Sequence, residues 1–270
     1  MSVRGESLRI CKRLCSGGGY ADLVFRVLIV SPHLDDAVLS LGASAHAAAR
    51  AGARVTILTV LAGDPESRRP AGSWDLASGY RSAGDAASGR RKEDARACAI
   101  VGANPIWLPF SDDQYPRNGS DGEIRDRIAF EAIGAALVLV PGLPLVHADH
   151  RWLADLLLDG LDDGVIASYA EQPYSALEGC PPSAVDGWEV SPLPFASVDA
   201  KSRACRAYPT QLSVLPSESL SAIRIAEARH GGEPIRFRSG DRDGFESIAR
   251  ALWPVRKDLS SAPPAYAASQ

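Results

Sequence analysis

Short runs of β-branched, apolar residues, each followed by a segment of helical composition, restrict this chain to an α/β fold. Val27-Leu28-Ile29-Val30 reads as a strand buried on both faces, bounded by Ser31-Pro32. The Ala- and Leu-rich stretch from Asp36 through Ala51 reads as a helix with Gly52 as its stop signal. Val55 through Leu61 is a second such run, which completes a βαβ unit with its right-handed crossover. Further strands are expected at 105–108, 137–140 and 165–167, with helices at 90–102, 122–133 and 149–158. This alternation predicts a doubly wound, mostly parallel, Rossmann-like sheet.

The remaining segments suggest the domain organisation. Residues 1–24 form an N-terminal segment, with one short helix expected from Leu8 to Leu14 before a Gly-rich break. Residues 25–170 hold the core. Within it, 62–89 is rich in Gly, Ser, Asp, Arg and Pro and carries no apolar period, so it is expected to be a substrate-binding lid. Residues 171–270 are punctuated by proline and read as an irregular C-terminal extension packed on the core, with Ser219 to His230 as its one clear helix and a frayed end.

Composition excludes several function classes. A formal net charge of −4, with Arg spread among Asp and Glu, gives no electrostatic footprint for nucleic acid or an anionic membrane. No apolar segment approaches the length of a membrane span, and no apolar leader precedes Gly17-Gly18-Gly19. Five cysteines without a CxxC pair fit free thiols, Cys11 and Cys15 included. A cytoplasmic location is therefore expected.

Two clusters carry the chemistry. His33-Leu34-Asp35-Asp36 follows the first strand, and His147-Ala148-Asp149-His150 follows the run at 137–140. Open α/β sheets bind ligands at the carboxyl ends of their strands, where both clusters fall. Three of the five histidines lie in these two segments. Helix capping would account for the aspartates but requires no histidine. A hydrolytic zinc site needs three protein ligands and an open position, which His33, Asp36 and one histidine of the second cluster would supply. The two strands must then be neighbours. None of the cysteines lies in either cluster, so nothing closes the fourth position; iron, cobalt or manganese would also suit such ligands. The first strand–helix turn lacks G-x-G-x-x-G, which argues against a dinucleotide- or sugar-binding module.

Ser31-Pro32-His33-Leu34-Asp35-Asp36-Ala37 and His147-Ala148-Asp149-His150 resemble the paired motifs of the PIG-L (LmbE-like) N-acetylglucosaminyl deacetylase family. Arg91-Lys92-Glu93-Asp94 leading to Val101-Gly102, Tyr169 to Tyr174, and Lys201 with Tyr208-Pro209-Thr210-Gln211 are similar to further family elements. Two positions depart from the pattern: Leu34 replaces the usual Pro and Ala37 the usual Glu, neither of them a metal ligand in the family. The resemblance implies His33, Asp36 and His150 as zinc ligands and Asp35 as general base. It implies His147 as a protonated imidazole that stabilises the oxyanion, oriented and charged by Asp149. Trp74, in the expected lid, and Arg91 are candidate substrate contacts. The implied reaction removes acetyl from an N-acetylglucosaminyl (GlcNAc) group of a small molecule. The long lid and the Pro-rich loops suggest a wide mouth for a bulky acceptor. The lid residues Gly72-Ser73-Trp74-Asp75 resemble those of enzymes acting on glycopeptide-antibiotic pseudoaglycones of the teicoplanin type, which that resemblance implies as substrate, with GlcNAc-inositol as the rival.

Overall fold

The computed structural model describes residues 24–158, 165–179, 187–194 and 197–253. The expected Leu8–Leu14 helix, Cys11, Cys15 and the frayed end lie outside these residues. Among the described residues, seven strands form one sheet in the order β3-β2-β1-β4-β5-β7-β6. Strands β1 (Arg26–Ser31), β2 (Arg54–Thr59), β3 (Ala103–Trp107), β4 (Leu137–Pro141) and β5 (Val165–Tyr169) are parallel. Strands β6 (Trp188–Pro194) and β7 (Gly232–Arg238) add antiparallel to the β5 edge. The chain runs outward from β1 to β3 and then returns to β4 on the other side of β1. Ile29 pairs with Ile57 on one side and Leu139 on the other, so the expected adjacency of the two motif-bearing strands is present. The switch point between them is where ligands bind in such sheets.

The two faces of β1 are buried in different cores, as expected for a strand covered on both sides. Val27 and Ile29 pack against α1 (Asp36–Arg50) and α3 (Ala83–Val101), together with Phe245, Ile248 and Leu252 of α10 (Arg242–Leu252). Leu28 and Val30 face Ile124 and Ile128 of α4 (Asp121–Ala132) and Leu153 and Leu157 of α5 (Ala148–Leu158). No helix among the described residues is long and apolar enough to cross a membrane.

The sequence expectation differs from the structure in two places. The expected lid, 62–89, is folded over its second half: α2 covers Ser73–Ala77, and α3 begins at Ala83 rather than Arg90. Ser82 caps α3 by accepting from the Asp85 N–H at 3.1 Å. Poor helix formers concealed this start, and packing requires them. A Cβ on Gly84 would lie 2.7 Å from Pro65 O, and one on Gly89 would lie 2.5 Å from the Tyr80 ring. Gly84→Ala is therefore expected to cost about 1–3 kcal/mol, read as a lower denaturant midpoint at unchanged slope. Gly122, in α4 with nothing within 4 Å of its Cβ position, supplies the contrast. Gly122→Ala should be neutral or stabilising by about 0.4–1 kcal/mol.

The second difference lies beyond residue 170. Besides Ser219–His230 (α9), that region holds α6 (Tyr174–Leu177), α7 (Val198–Cys205), α8 (Pro209–Leu212), α10 and the two antiparallel strands. Its prolines obscured this order, but Pro192 and Pro194 sit on the edge strand β6, where a missing N–H is tolerated.

Candidate active site

The turn after β1 is closed by one hydroxyl. Ser31 Oγ donates to His33 O at 2.7 Å and accepts from the Ala37 N–H at 3.1 Å. Asp35 precedes the first helical residue, with φ −154° and ψ −28°, and its carboxylate makes no capping bond. Asp36 begins α1, and its Oδ2 accepts from the His33 N–H at 2.9 Å. A carboxylate at a helix N-terminus also suits the helix dipole. Across the switch point, the loop after β4 delivers His147, and α5 begins one residue later.

Three donor atoms converge here. His33 Nδ1 lies 3.1 Å from His150 Nε2 and 3.3 Å from Asp36 Oδ2, and His150 Nε2 lies 3.3 Å from the same oxygen. For zinc–nitrogen bonds of about 2.0–2.1 Å, a tetrahedral arrangement puts ligand atoms about 3.3 Å apart. The outer nitrogens face buried carboxylates: His33 Nε2 is 3.2 Å from Asp149 Oδ2, and His150 Nδ1 is 2.7 Å from Glu171 Oε1. This carboxylate–histidine pairing fixes the tautomer that turns the free nitrogen inward, as metal sites require. The donor set therefore fits a divalent metal.

The electrostatics agree with a site built for a cation. Burial would lower both histidines, but Asp149 and Asp36 hold His33 up at about 9, and Asp36 with Glu171 holds His150 up at about 11. Asp36 is held well below the usual carboxylate range, because His150 and His33 outweigh its burial. Asp35 behaves oppositely: burial and the adjacent Asp36 charge push it up to about 7, against the pull of Arg90.

His147 is half-buried, with its ring centroid 5.1 Å from those of His33 and His150. Its Nδ1 accepts from the Asp149 N–H at 3.2 Å, which places the ring proton on Nε2. Burial, then His33 and His150, lower its pKa. Asp113 and Asp149 act in the opposite direction. The Asp149 carboxylate serves His33, Arg117 Nη2 at 2.8 Å and the Asp113 N–H at 2.9 Å. Its backbone N–H is the group that hydrogen-bonds to His147.

A cleft of about 220 Å³ opens over these groups. Trp74 lines it, with Nε1 donating to Gln211 Oε1 at 2.9 Å across the mouth. The segment carrying Gln211 docks on α3, where Tyr208 Oη donates to Asp94 and Thr210 Oγ1 to Glu93, each at 2.7 Å. Arg91 is not in the cleft: its guanidinium donates to Ala62 O at 3.2 Å and to Gly63 O. Arg90 takes that place, 3.4 Å from Asp75 and 3.7 Å from Asp112. The buried stripe of α3 runs Ala86, Arg90, Glu93, Asp94, Ala97, so helical periodicity already favours Arg90 over its neighbour. Arg90, Glu171, Asp113 and Arg117 are the site residues that sequence reasoning missed. Only Glu171 lay within a quoted motif.

Residues 28–160 match the profile of the PIG-L family, described as GlcNAc-PI de-N-acetylase. Among solved structures, the A40926 pseudoaglycone deacetylase Dbv21 is 31% identical, with a TM-score of 0.64 over 79% of this chain and 96% of that one. A deacetylase from the teicoplanin biosynthesis pathway is 25% identical, with a TM-score of 0.66 over 80% and 99%. The N,N'-diacetylchitobiose deacetylase from Pyrococcus horikoshii shares the fold, at 19% identity and a TM-score of 0.55 over 89% and 94%. No curated protein sequence is matched.

Proposed function

This chain belongs to the PIG-L family and is a deacetylase, and from that premise we propose that it removes acetyl from an N-acetylglucosaminyl group on a glycopeptide pseudoaglycone, using zinc held by His33, Asp36 and His150. The convergence of those three donor atoms at 3.1–3.3 Å carries the reading. Bound there, zinc would polarise the acetamide carbonyl and lower the pKa of water to about 7. Asp35, held near neutrality beside the ligands, takes the proton from the attacking water and passes it to the departing amine. His147 donates its Nε2–H to the carbonyl oxygen as negative charge develops there. The C–N bond breaks, and acetate and a free amino sugar leave. Trp74, Arg90 and Gln211 line the cleft and hold the sugar.

The 31% identity to a pseudoaglycone deacetylase, over nearly all of that chain, supports the substrate class. The free, buried Cys98 and Cys205 suit a reducing, cytoplasmic location. Mass spectrometry of the zinc-loaded protein with a GlcNAc-bearing glycopeptide pseudoaglycone, and separately with GlcNAc-inositol, tests the reading. Loss of one acetyl from the pseudoaglycone alone, abolished by a chelator and restored by zinc, is expected. Loss from GlcNAc-inositol alone would overturn the substrate.

The Glu171 carboxylate sets the orientation of His150. Glu171→Gln is expected to weaken zinc binding about 10–100-fold, measured by competition with a chromophoric chelator.

A further inference from the structure

The short helix that carries Trp74 is capped by a side chain from a different loop. α2 spans only Ser73–Ala77, too short to persist alone in water, and Asp75 is its one buried side chain. Its N-cap position is Gly72, which has no side chain to satisfy the first free N–H groups. Gln114, in the loop after β3, satisfies them instead. Its Oε1 accepts from the Trp74 N–H at 2.8 Å and from the Asp75 N–H at 3.0 Å. We propose that Gln114 is a positioning residue for the deacetylation, which sets Trp74 as the wall of the cleft against which the sugar is held. This role rests on the sugar contact given above to Trp74; the capping does not.

The glutamine is held so that only one orientation of its amide works. Its Nε2 donates to Asp112 Oδ2 at 3.0 Å, and its backbone N–H donates to Asp112 Oδ1 at 3.2 Å. With a carboxylate at one end of the amide and two N–H groups at the other, a flip would oppose like groups at both ends. Gly72 is matched to this arrangement, since a Cβ there would lie 2.7 Å from Gln114 Oε1. A serine or aspartate that could cap α2 from within its own segment would collide with the glutamine that takes its place.

The same loop joins the two halves of the site. Tyr115 Oη accepts from the Gly72 N–H at 2.8 Å and donates to Asp75 Oδ2 at 2.6 Å. The Asp113 N–H donates to Asp149 Oδ2, the oxygen that faces His33. Three consecutive residues therefore fix where α2 stands relative to the convergent donor atoms. The bond from Trp74 Nε1 to Gln211 ties the tip of the indole, whereas Gln114 fixes the backbone from which the ring projects. Apolar packing adds little, because Leu76 of α2 is 58% exposed. Loss of the cap should loosen α2 locally and leave the sheet intact. The groups proposed to hold the metal and move the proton lie on other elements, so the loss should appear in sugar binding rather than in the chemical step.

Gln114→Met, which keeps the length of the side chain and removes the amide, tests this in the zinc-loaded protein. Deuterium exchange read by mass spectrometry needs no substrate. The amides of 72–76 should exchange about 3–30-fold faster than in wild type, with β1 and β4 unchanged. With whichever of the two GlcNAc substrates is deacetylated, KM should rise by a similar factor while kcat stays within about twofold. Trp74→Ala should also raise KM, and adding Gln114→Met to it should raise KM no further, because the cap acts through the ring. Unchanged exchange, a fall in kcat at unchanged KM, or a KM effect that persists in full without Trp74 would overturn the proposal. A KM indifferent to Trp74→Ala would overturn the sugar contact and the proposal with it. The exchange rates separate that failure from failure of the cap.

Discussion

Asp35→Asn is expected to lower the deacetylation rate about 10²–10⁴-fold while leaving one tightly bound zinc in place. The two adjacent carboxylates of the first motif differ in surroundings, and that difference assigns their roles. Asp36 accepts the His33 N–H and faces two imidazoles, so it stays ionised and suits a ligand. Asp35 stands outside that network, buried beside the Asp36 charge and held up at about 7. A carboxyl at that value can both accept a proton from water and return it to an amine at neutral pH, which a carboxylate near 4 does poorly. Asparagine keeps the size and burial but cannot carry the proton. Rate and bound zinc measured on the same sample separate the two roles. A variant that lost its metal, or one that kept more than a tenth of the rate, would place the base elsewhere.

The sequence revealed the parts of this molecule governed by local periodicity. The β-branched runs at 27–30, 55–61 and 137–140 had to be central strands because few other elements bury a continuous apolar run, and each His/Asp cluster followed such a run. The adjacency of β1 and β4 came from chemistry, since two half-sites must meet to share a metal. What stayed hidden was set by distant packing. Gly84 and Gly89 look like loop residues, yet they lie in a helix, where they are glycine because Pro65 and Tyr80 leave no room for a side chain. Arg90 and Arg91 are equivalent as letters, and only the phase of α3 separates them. The partner of His150 comes from the exit of β5, and that of His33 from α5, so no spacing within one motif could reveal either. Phe245, Ile248 and Leu252 do carry a helical stripe, which the surrounding proline and charge concealed.

Lys201→Met is expected to destabilise the protein by about 3–5 kcal/mol, because removing one member of a buried ionic cluster strands the others. Lys201 Nζ lies 2.5 Å from Glu227 and 2.6 Å from Glu233, and all three are at most 4% exposed. Their position explains why they matter. Leu41, with φ −127° and ψ 17°, interrupts α1 five residues after Asp36. The Ala43 and Ser44 N–H groups donate to the Glu233 carboxylate at 3.0 and 2.7 Å, and Lys201 donates to Ser40 O at 3.1 Å. Ser40 Oγ in turn accepts from the Gln172 N–H, next to the residue that orients His150. The cluster thus closes a break in the helix that begins with a proposed metal ligand. The two carboxylates are unequal. Glu233 has the lysine and two amides, whereas Glu227 has the lysine alone, and burial pushes it up to about 7. Folded Glu227 therefore keeps its proton between the unfolded value of 4.5 and about 7, while the unfolded chain releases it. Stability falls through that window as pH rises. Without Lys201 the Glu227 carboxyl rises further, so the deficit of the variant should be smallest near pH 4.5, where folded Glu227 is protonated with or without the lysine, and full above pH 7. Adding Glu227→Gln to Lys201→Met should recover part of the loss at pH 7 and little at pH 4.5. Urea unfolding at the two pH values reads both effects, and a deficit independent of pH would mean that Lys201 acts by packing rather than by charge.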